Sequence, residues 1–119
     1  MQITVSDFQV GIIGAGAMGA GIAQVAATAG HPVFIFDNNN DALEKSRNSL
    51  TAILQKLEQK GKVPDAQKVM DRFSFVTDMN AFSDCELIIE AIVENLEVKK
   101  NVFAAVEKIV NPACILASN

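Results

Sequence analysis

Between an apolar run and an alanine-rich stretch, the chain carries Gly14-Ala15-Gly16-Ala17-Met18-Gly19. Three glycines at this spacing constrain the fold more than any other feature of the sequence. Each has its own steric task. Gly14 lets the chain turn sharply out of a strand, Gly16 bares the backbone to an approaching diphosphate, and Gly19 lets a helix press on that strand. The unpaired N–H groups of the helix's first turn lie at the positive end of its dipole and suit an anion. No lysine stands in the segment, and none is required. Such a pattern is specific only in context, and the context is present. Phe8 to Ile13 reads as a buried strand, Ala17 to Ala29 as a small-residue helix, and Asp37 follows a second strand, Val33 to Phe36.

A carboxylate placed there, about 20 residues past the first glycine, can accept both hydroxyls of an adenosine ribose and repels a 2′-phosphate. Asn38, Asn39 and Asn40 supply no arginine to offset that repulsion. NAD is therefore expected as cofactor in preference to NADP, although the glycine turn alone does not separate NAD from FAD. A plainer role is also open to Asp37, capping the helix that follows.

The remaining pattern repeats the theme. Asp41 to Lys60 has an apolar stripe of Leu43, Leu50, Ile53, Leu54 and Leu57 at helical spacing. Asp41 and Glu44 resemble a capping box at its start, and Gly61 is a natural stop. Pro64 to Asp71 suits a short helix. Phe73 to Val76 and Leu87 to Ile89, ending at Glu90, are further strands. Leu96 to Val110 reads as a helix with Val98, Val102, Ala105, Val106 and Ile109 inward, and Cys114 to Ala117 as a fifth strand. Strands alternating with helices imply right-handed crossovers and a doubly wound parallel sheet of Rossmann type, in the order 3-2-1-4-5. The whole of residues 1–119 is read as one domain, ending where an active-site loop would continue the fifth strand.

Composition narrows the partners. Ten basic against 14 acidic residues leave a net charge of −4, which argues against a nucleic-acid surface. The apolar stretch from Val10 to Ala29 is broken by glycines and a glutamine, so a membrane helix is rejected. Cys85 and Cys114 form no CxxC and no metal pattern. Two such thiols suit burial in a reducing compartment, and a cytoplasmic location is expected.

The stretch GIIGAGAMGAGIAQVAATAGH after Val10 resembles the opening of the 3-hydroxyacyl-CoA dehydrogenases. So do the helix closing in Lys60-Gly61-Lys62, the block Glu90-Ala91-Ile92-Val93-Glu94-Asn95-Leu96-Glu97-Val98-Lys99-Lys100, and Ile115 to Asn119. The middle block is the most specific, and the likeness runs from Val10 to Asn119. This resemblance implies an oxidoreductase that oxidises the 3-hydroxyl of an acyl-CoA with NAD, as in fatty-acid β-oxidation. It implies NAD contacts at Gly14, Ala15, Gly16, Ala17, Met18, Gly19 and Asp37, with Glu94 and Lys99 near the nicotinamide end. Against this, Glu94 can be a helix-start carboxylate and Lys99 a solvated helix charge. Lys60 matches a lysine that meets the coenzyme A nucleotide, with Lys56 and Lys62 nearby, although an exposed helix end commonly carries lysines. Ile53 stands where the family can carry a serine, a departure that removes one contact.

The family's catalytic histidine, its orienting glutamate and a serine lie beyond residue 119, so no catalytic residue is assigned in this chain. His31, the only histidine, sits at the amino end of the second strand. A helical C-terminal part would complete the acyl-CoA cleft and form a homodimer. The present chain alone is expected to bind NAD weakly and to catalyse nothing. The alternatives are a related dehydrogenase resembling lambda-crystallin and gulonate dehydrogenase, and a non-catalytic NAD-binding module.

Overall fold

The computed structural model describes residues 8–92 and 96–118, excluding the side chains of residues 96 and 97. Five strands, β1 (Val10–Ile13), β2 (Val33–Phe36), β3 (Phe73–Val76), β4 (Leu87–Glu90) and β5 (Ile115–Ser118), form one sheet in the order β3-β2-β1-β4-β5. Every pairing is parallel. The expected strand order is thus observed. The last residues of the strands, Val76, Phe36, Ile13, Glu90 and Ser118, lie in one row across the sheet. That row is the carboxyl edge, where ligands collect in open parallel sheets.

Helix α1 (Ala17–Thr28) follows β1 and returns over the sheet. Its inner face is small: Ala20, Ala23 and Ala27 are buried against Val10, Ile12, Val33 and Ile35. Such side chains bring helix and sheet backbones close. Helix α2 (Asn40–Gln59) adds Leu43, Leu50 and Leu54 to the same core. It is joined to the short α3 (Ala66–Met70), whose Ala66 N–H donates to the Glu58 carboxylate at 2.9 Å. On the opposite face a smaller core of Ile13, Ile88 and Phe82 is covered by α4 (Leu96–Glu107) through Val106.

Several local readings are corrected. Asn39 caps α2, its side chain accepting from the N–H groups of Asp41 (2.9 Å) and Ala42 (3.2 Å), so Asp41 and Glu44 form no capping box there. A short asparagine side chain two residues earlier reaches the orphan amides of the first turn. The stop at Gly61 is as expected: Gly61 and Lys62 donate to the carbonyls of Glu58 (3.0 Å) and Leu57 (2.9 Å). Helix α3 is shorter than the expected span because Asp65 caps it. A 3₁₀ turn over Met79–Phe82, missed by helical periodicity, buries Phe82 completely. Strand β1 begins at Val10 rather than Phe8, and β5 is displaced by one residue. Helix α4 ends at Glu107, short of Val110. Of its expected inward positions, Val98 and Ala105 are exposed. Ile53 on α2 is exposed as well.

Candidate functional site

The glycine turn lies at the carboxyl end of β1. Gly14 has φ = +109°, a conformation in which a side chain is strained, and its N–H donates to the Phe36 carbonyl at 2.8 Å. Gly19 is fully committed to packing. A Cβ there would fall 1.9 Å from the Gly14 carbonyl oxygen. Gly16 differs, because a Cβ would meet nothing within 4 Å. It is the N-cap of α1 in an extended conformation and offers no side chain to cap the helix, and Gly16, Ala17 and Met18 are exposed. A bare, solvent-facing helix start at a sheet's carboxyl edge is what a diphosphate requires.

Asp37 stands just beyond β2 and is bound to that turn. Its Oδ2 accepts from the Ala15 N–H at 3.0 Å and its Oδ1 from the Asn39 N–H at 3.0 Å. Capping of α2 is done by Asn39 itself, so Asp37 holds the capping residue and the glycine turn together. Each carboxylate oxygen keeps lone-pair capacity for a further donor. Beside Asp37 a cavity of about 210 Å³ is walled by Gly14, Phe36, Ile92, Val98 and Val102. Val98, expected in the core, instead borders this cavity at the start of α4. The helical period selects a face correctly but does not distinguish a core from a ligand cleft. Neither Ile92 nor Val98 was assigned to the cofactor site from the sequence. Their signal was an apolar pair beside the carboxyl edge.

Glu90, the last residue of β4, was also unassigned, yet it is wholly buried. Its Oε1 accepts from Ser118 Oγ at 2.7 Å and pairs with the Lys99 ammonium at 3.3 Å, while Oε2 accepts from the Ile92 N–H at 2.6 Å. Burial pushes the carboxyl upward, but the donors from Ser118, Ile92 and Lys99 outweigh it and hold it below the ordinary carboxylate range. Lys99 is therefore turned inward, with a side chain 13% exposed, and is no simple solvated charge.

A family model for the NAD-binding domain of 3-hydroxyacyl-CoA dehydrogenase matches residues 9–119. The chain belongs to this family. Among 3-hydroxyacyl-CoA dehydrogenases it is similar to a probable 3-hydroxybutyryl-CoA dehydrogenase of Deinococcus radiodurans, 46% identical over 110 residues, covering 92% of this chain and 40% of that protein. A mitochondrial hydroxyacyl-coenzyme A dehydrogenase of Homo sapiens is 40% identical over 119 residues, covering 92% and 38%. The crystal structure of 3-hydroxybutyryl-CoA dehydrogenase from Escherichia coli K12 superposes with a TM-score of 0.90 at 38% identity, covering 94% of this chain and 24% of that one. The chain thus spans about 40% of the length of the first curated relative. The cofactor expected from the glycine turn, NAD, is that of the family.

The other residues of this 3-hydroxyacyl-CoA dehydrogenase domain fall in three places. Glu94 lies outside the described residues. Lys56, Lys60 and Lys62 are exposed around the C-terminal end of α2. Nearer the glycine turn, α1 and α2 enclose a cavity of about 450 Å³ bordered by Gly16, Ala20, Gln24, Lys45, Ser46 and Ile53. The Ser46 hydroxyl is buried there without a hydrogen-bond partner among the described residues. His31 is at the far, amino edge of the sheet, with Nδ1 3.2 Å from the Phe8 carbonyl oxygen. Among the described residues, no three His, Cys, Asp or Glu side chains gather to hold a metal, and no helix is long and apolar enough to cross a membrane.

The thiols lie by the amino edge as well. Burial, with the nearby Cys114, Glu86 and Asp84, pushes the Cys85 thiol up to about 12. Cys114 is half-buried, and burial and Glu86 raise it also. A disulfide reagent at about pH 8 is expected to find Cys85 inert and Cys114 slow in the folded chain, with both thiols reacting fast after denaturation. Rapid reaction of both in the folded chain would contradict the burial.

Proposed function

We propose that this chain is the cofactor-holding part of an enzyme that oxidises L-3-hydroxyacyl-CoA to 3-ketoacyl-CoA. The observation that carries this reading is the carboxyl edge itself, where the glycine turn follows Ile13, Asp37 follows Phe36, and Glu90, in register with Ile13, holds Lys99. The amides of Gly16, Ala17 and Met18 would take the diphosphate, and Gly14 and Ala15 shape the turn beneath it. Asp37 would grip the adenosine ribose, with the adenine against Ile92 and Val98. A carboxylate in that position disfavours a 2′-phosphate, consistent with NAD. Glu94 and Lys99 would meet the nicotinamide half. When bound, NAD supplies the hydride acceptor for the carbon bearing the 3-hydroxyl. Proton removal from that hydroxyl needs a base. His31 stands at the wrong edge, so the base is assigned outside residues 1–119, in a C-terminal part that also forms the dimer. The thiols, far from one another in sequence and unpaired, suit a cytoplasmic, reducing setting.

Lys60 would bind the coenzyme A nucleotide as a point charge on phosphate. It stands about 10 Å along α2 from Ile53 at the α1–α2 cavity, given 1.5 Å per residue. In the intact protein, acetoacetyl-CoA is expected to be reduced with NADH and much less well with NADPH. Residues 1–119 alone should bind NADH weakly and show no turnover. Lys60→Ala is expected to raise KM for acetoacetyl-CoA about tenfold, the scale of one lost charged hydrogen bond, and to leave the NADH dissociation constant unchanged. Equal losses for both ligands would contradict a coenzyme A role. Absence of acetoacetyl-CoA reduction by an intact protein that binds NADH would refute the substrate class.

A further inference from the structure

We infer that Glu90 is the positioning residue of the nicotinamide end. It is a buried carboxylate that sets Lys99 and the exit of β5 in place before cofactor arrives. The inference rests on the cofactor reading above and goes beyond it, because Glu90 itself would touch neither cofactor nor substrate.

Three donors converge on Glu90 from three different elements. Ile92 N–H belongs to the turn leaving β4, Lys99 to the first turn of α4, and Ser118 to the last residue of β5. Only a carboxylate, with two oxygens and about four lone-pair sites, can accept from all three at once. Strand register explains why it can. Glu90 is opposite both Ile13 and Ser118, so the Ser118 hydroxyl is a lateral neighbour rather than a chance contact. The carboxylate thereby joins the strand after which the polypeptide continues at residue 119 to the helix that carries the cation.

The cation benefits most. A lysine has a flexible four-carbon stem, and its ordering opposes any contact it makes on binding. Here that ordering is complete beforehand, since the ammonium is held at 3.3 Å from a carboxylate that is itself wholly buried. An ammonium has three donors. The contact to Glu90 fixes where that ammonium stands, beside the carboxyl end of β4. A buried carboxylate whose only task was to support the fold would serve as well at the amino edge. This one is in register with Ile13, the residue that leads into the glycine turn at the carboxyl edge.

Two ligands that share the adenosine diphosphate half separate positioning from folding. ADP lacks the whole nicotinamide riboside, whereas NADH carries it. In calorimetric titrations of the intact protein, Glu90→Gln is expected to weaken NADH about tenfold or more. ADP, bound at a distance from the change, should stay within about twofold. Lys99→Met, a change at the partly accessible partner that leaves the strand untouched, should reproduce the selective loss. The double variant should lose no more than either alone, because the two residues act as one unit. Equal weakening of both ligands by Glu90→Gln, or unchanged NADH affinity in Lys99→Met, would overturn the inference. Wild-type protein that bound neither ligand would instead overturn the cofactor reading and the inference with it. That result is distinct, since it needs no variant.

Discussion

Gly19→Ala is expected to lower the thermal midpoint of the chain by about 10 °C or more, corresponding to a loss of about 3 kcal/mol. The added methyl would sit 1.9 Å from the Gly14 carbonyl oxygen. The Cβ position is fixed by the backbone and the oxygen is itself backbone, so no torsion can relieve the clash, and the strain falls on the contact between α1 and β1. That contact carries Ala20 and Ala23, part of the main core. A domain of this size has only about 5–15 kcal/mol to lose. Gly16→Ala provides the contrast. Its methyl meets nothing within 4 Å, and the stability cost at an N-cap should stay within about 1 kcal/mol. Yet the methyl would stand where the diphosphate has to approach the amides, so NAD affinity should fall about tenfold or more. Thermal unfolding followed by circular dichroism, together with NADH titration, reads both effects. Should Gly16→Ala bind NADH as tightly as wild type, the diphosphate does not lie on this helix start.

Asp37→Ala should weaken NADH about 30-fold or more, since hydrogen bonds from ribose hydroxyls to a charged group are lost. It should also cost about 1–3 kcal/mol of stability, because the amides of Ala15 and Asn39 lose their acceptor. Asp37→Asn separates these roles. One side-chain oxygen remains to accept from an amide, so much of the stability should return. The negative charge is gone, so the repulsion of a 2′-phosphate goes with it. The NADPH-to-NADH ratio of dissociation constants should therefore fall about tenfold in Asp37→Asn. An unchanged ratio would show that Asp37 is only a clamp on the glycine turn.

How far the site was legible depended on how local its logic is. The glycine turn and Asp37 could be found because a bare backbone, a helix start and an acid after the second strand are tied to short spacings. Glu90 was read only as a strand ending. Its partners are 2, 9 and 28 residues away on separate elements, and no periodicity connects them. Val98 was assigned inward for the opposite reason: its spacing is correct, but the face it shares is a cleft beside Asp37 as well as a core. Lys60 keeps both of its initial readings, an exposed helix-end charge and a phosphate contact.

The amino-acid sequence by itself determined the alternation of strands and helices, the parallel sheet in its order and the anion-ready turn. Those properties follow from glycines and apolar periods acting over a few residues. Only the tertiary structure decided that Asp37 clamps the turn, that Asn39 rather than Asp41 starts α2, and that Lys99 faces inward on a buried carboxylate. Such choices depend on which donors and acceptors the folded sheet brings within about 3 Å of one another, and strand register rather than sequence spacing sets that distance.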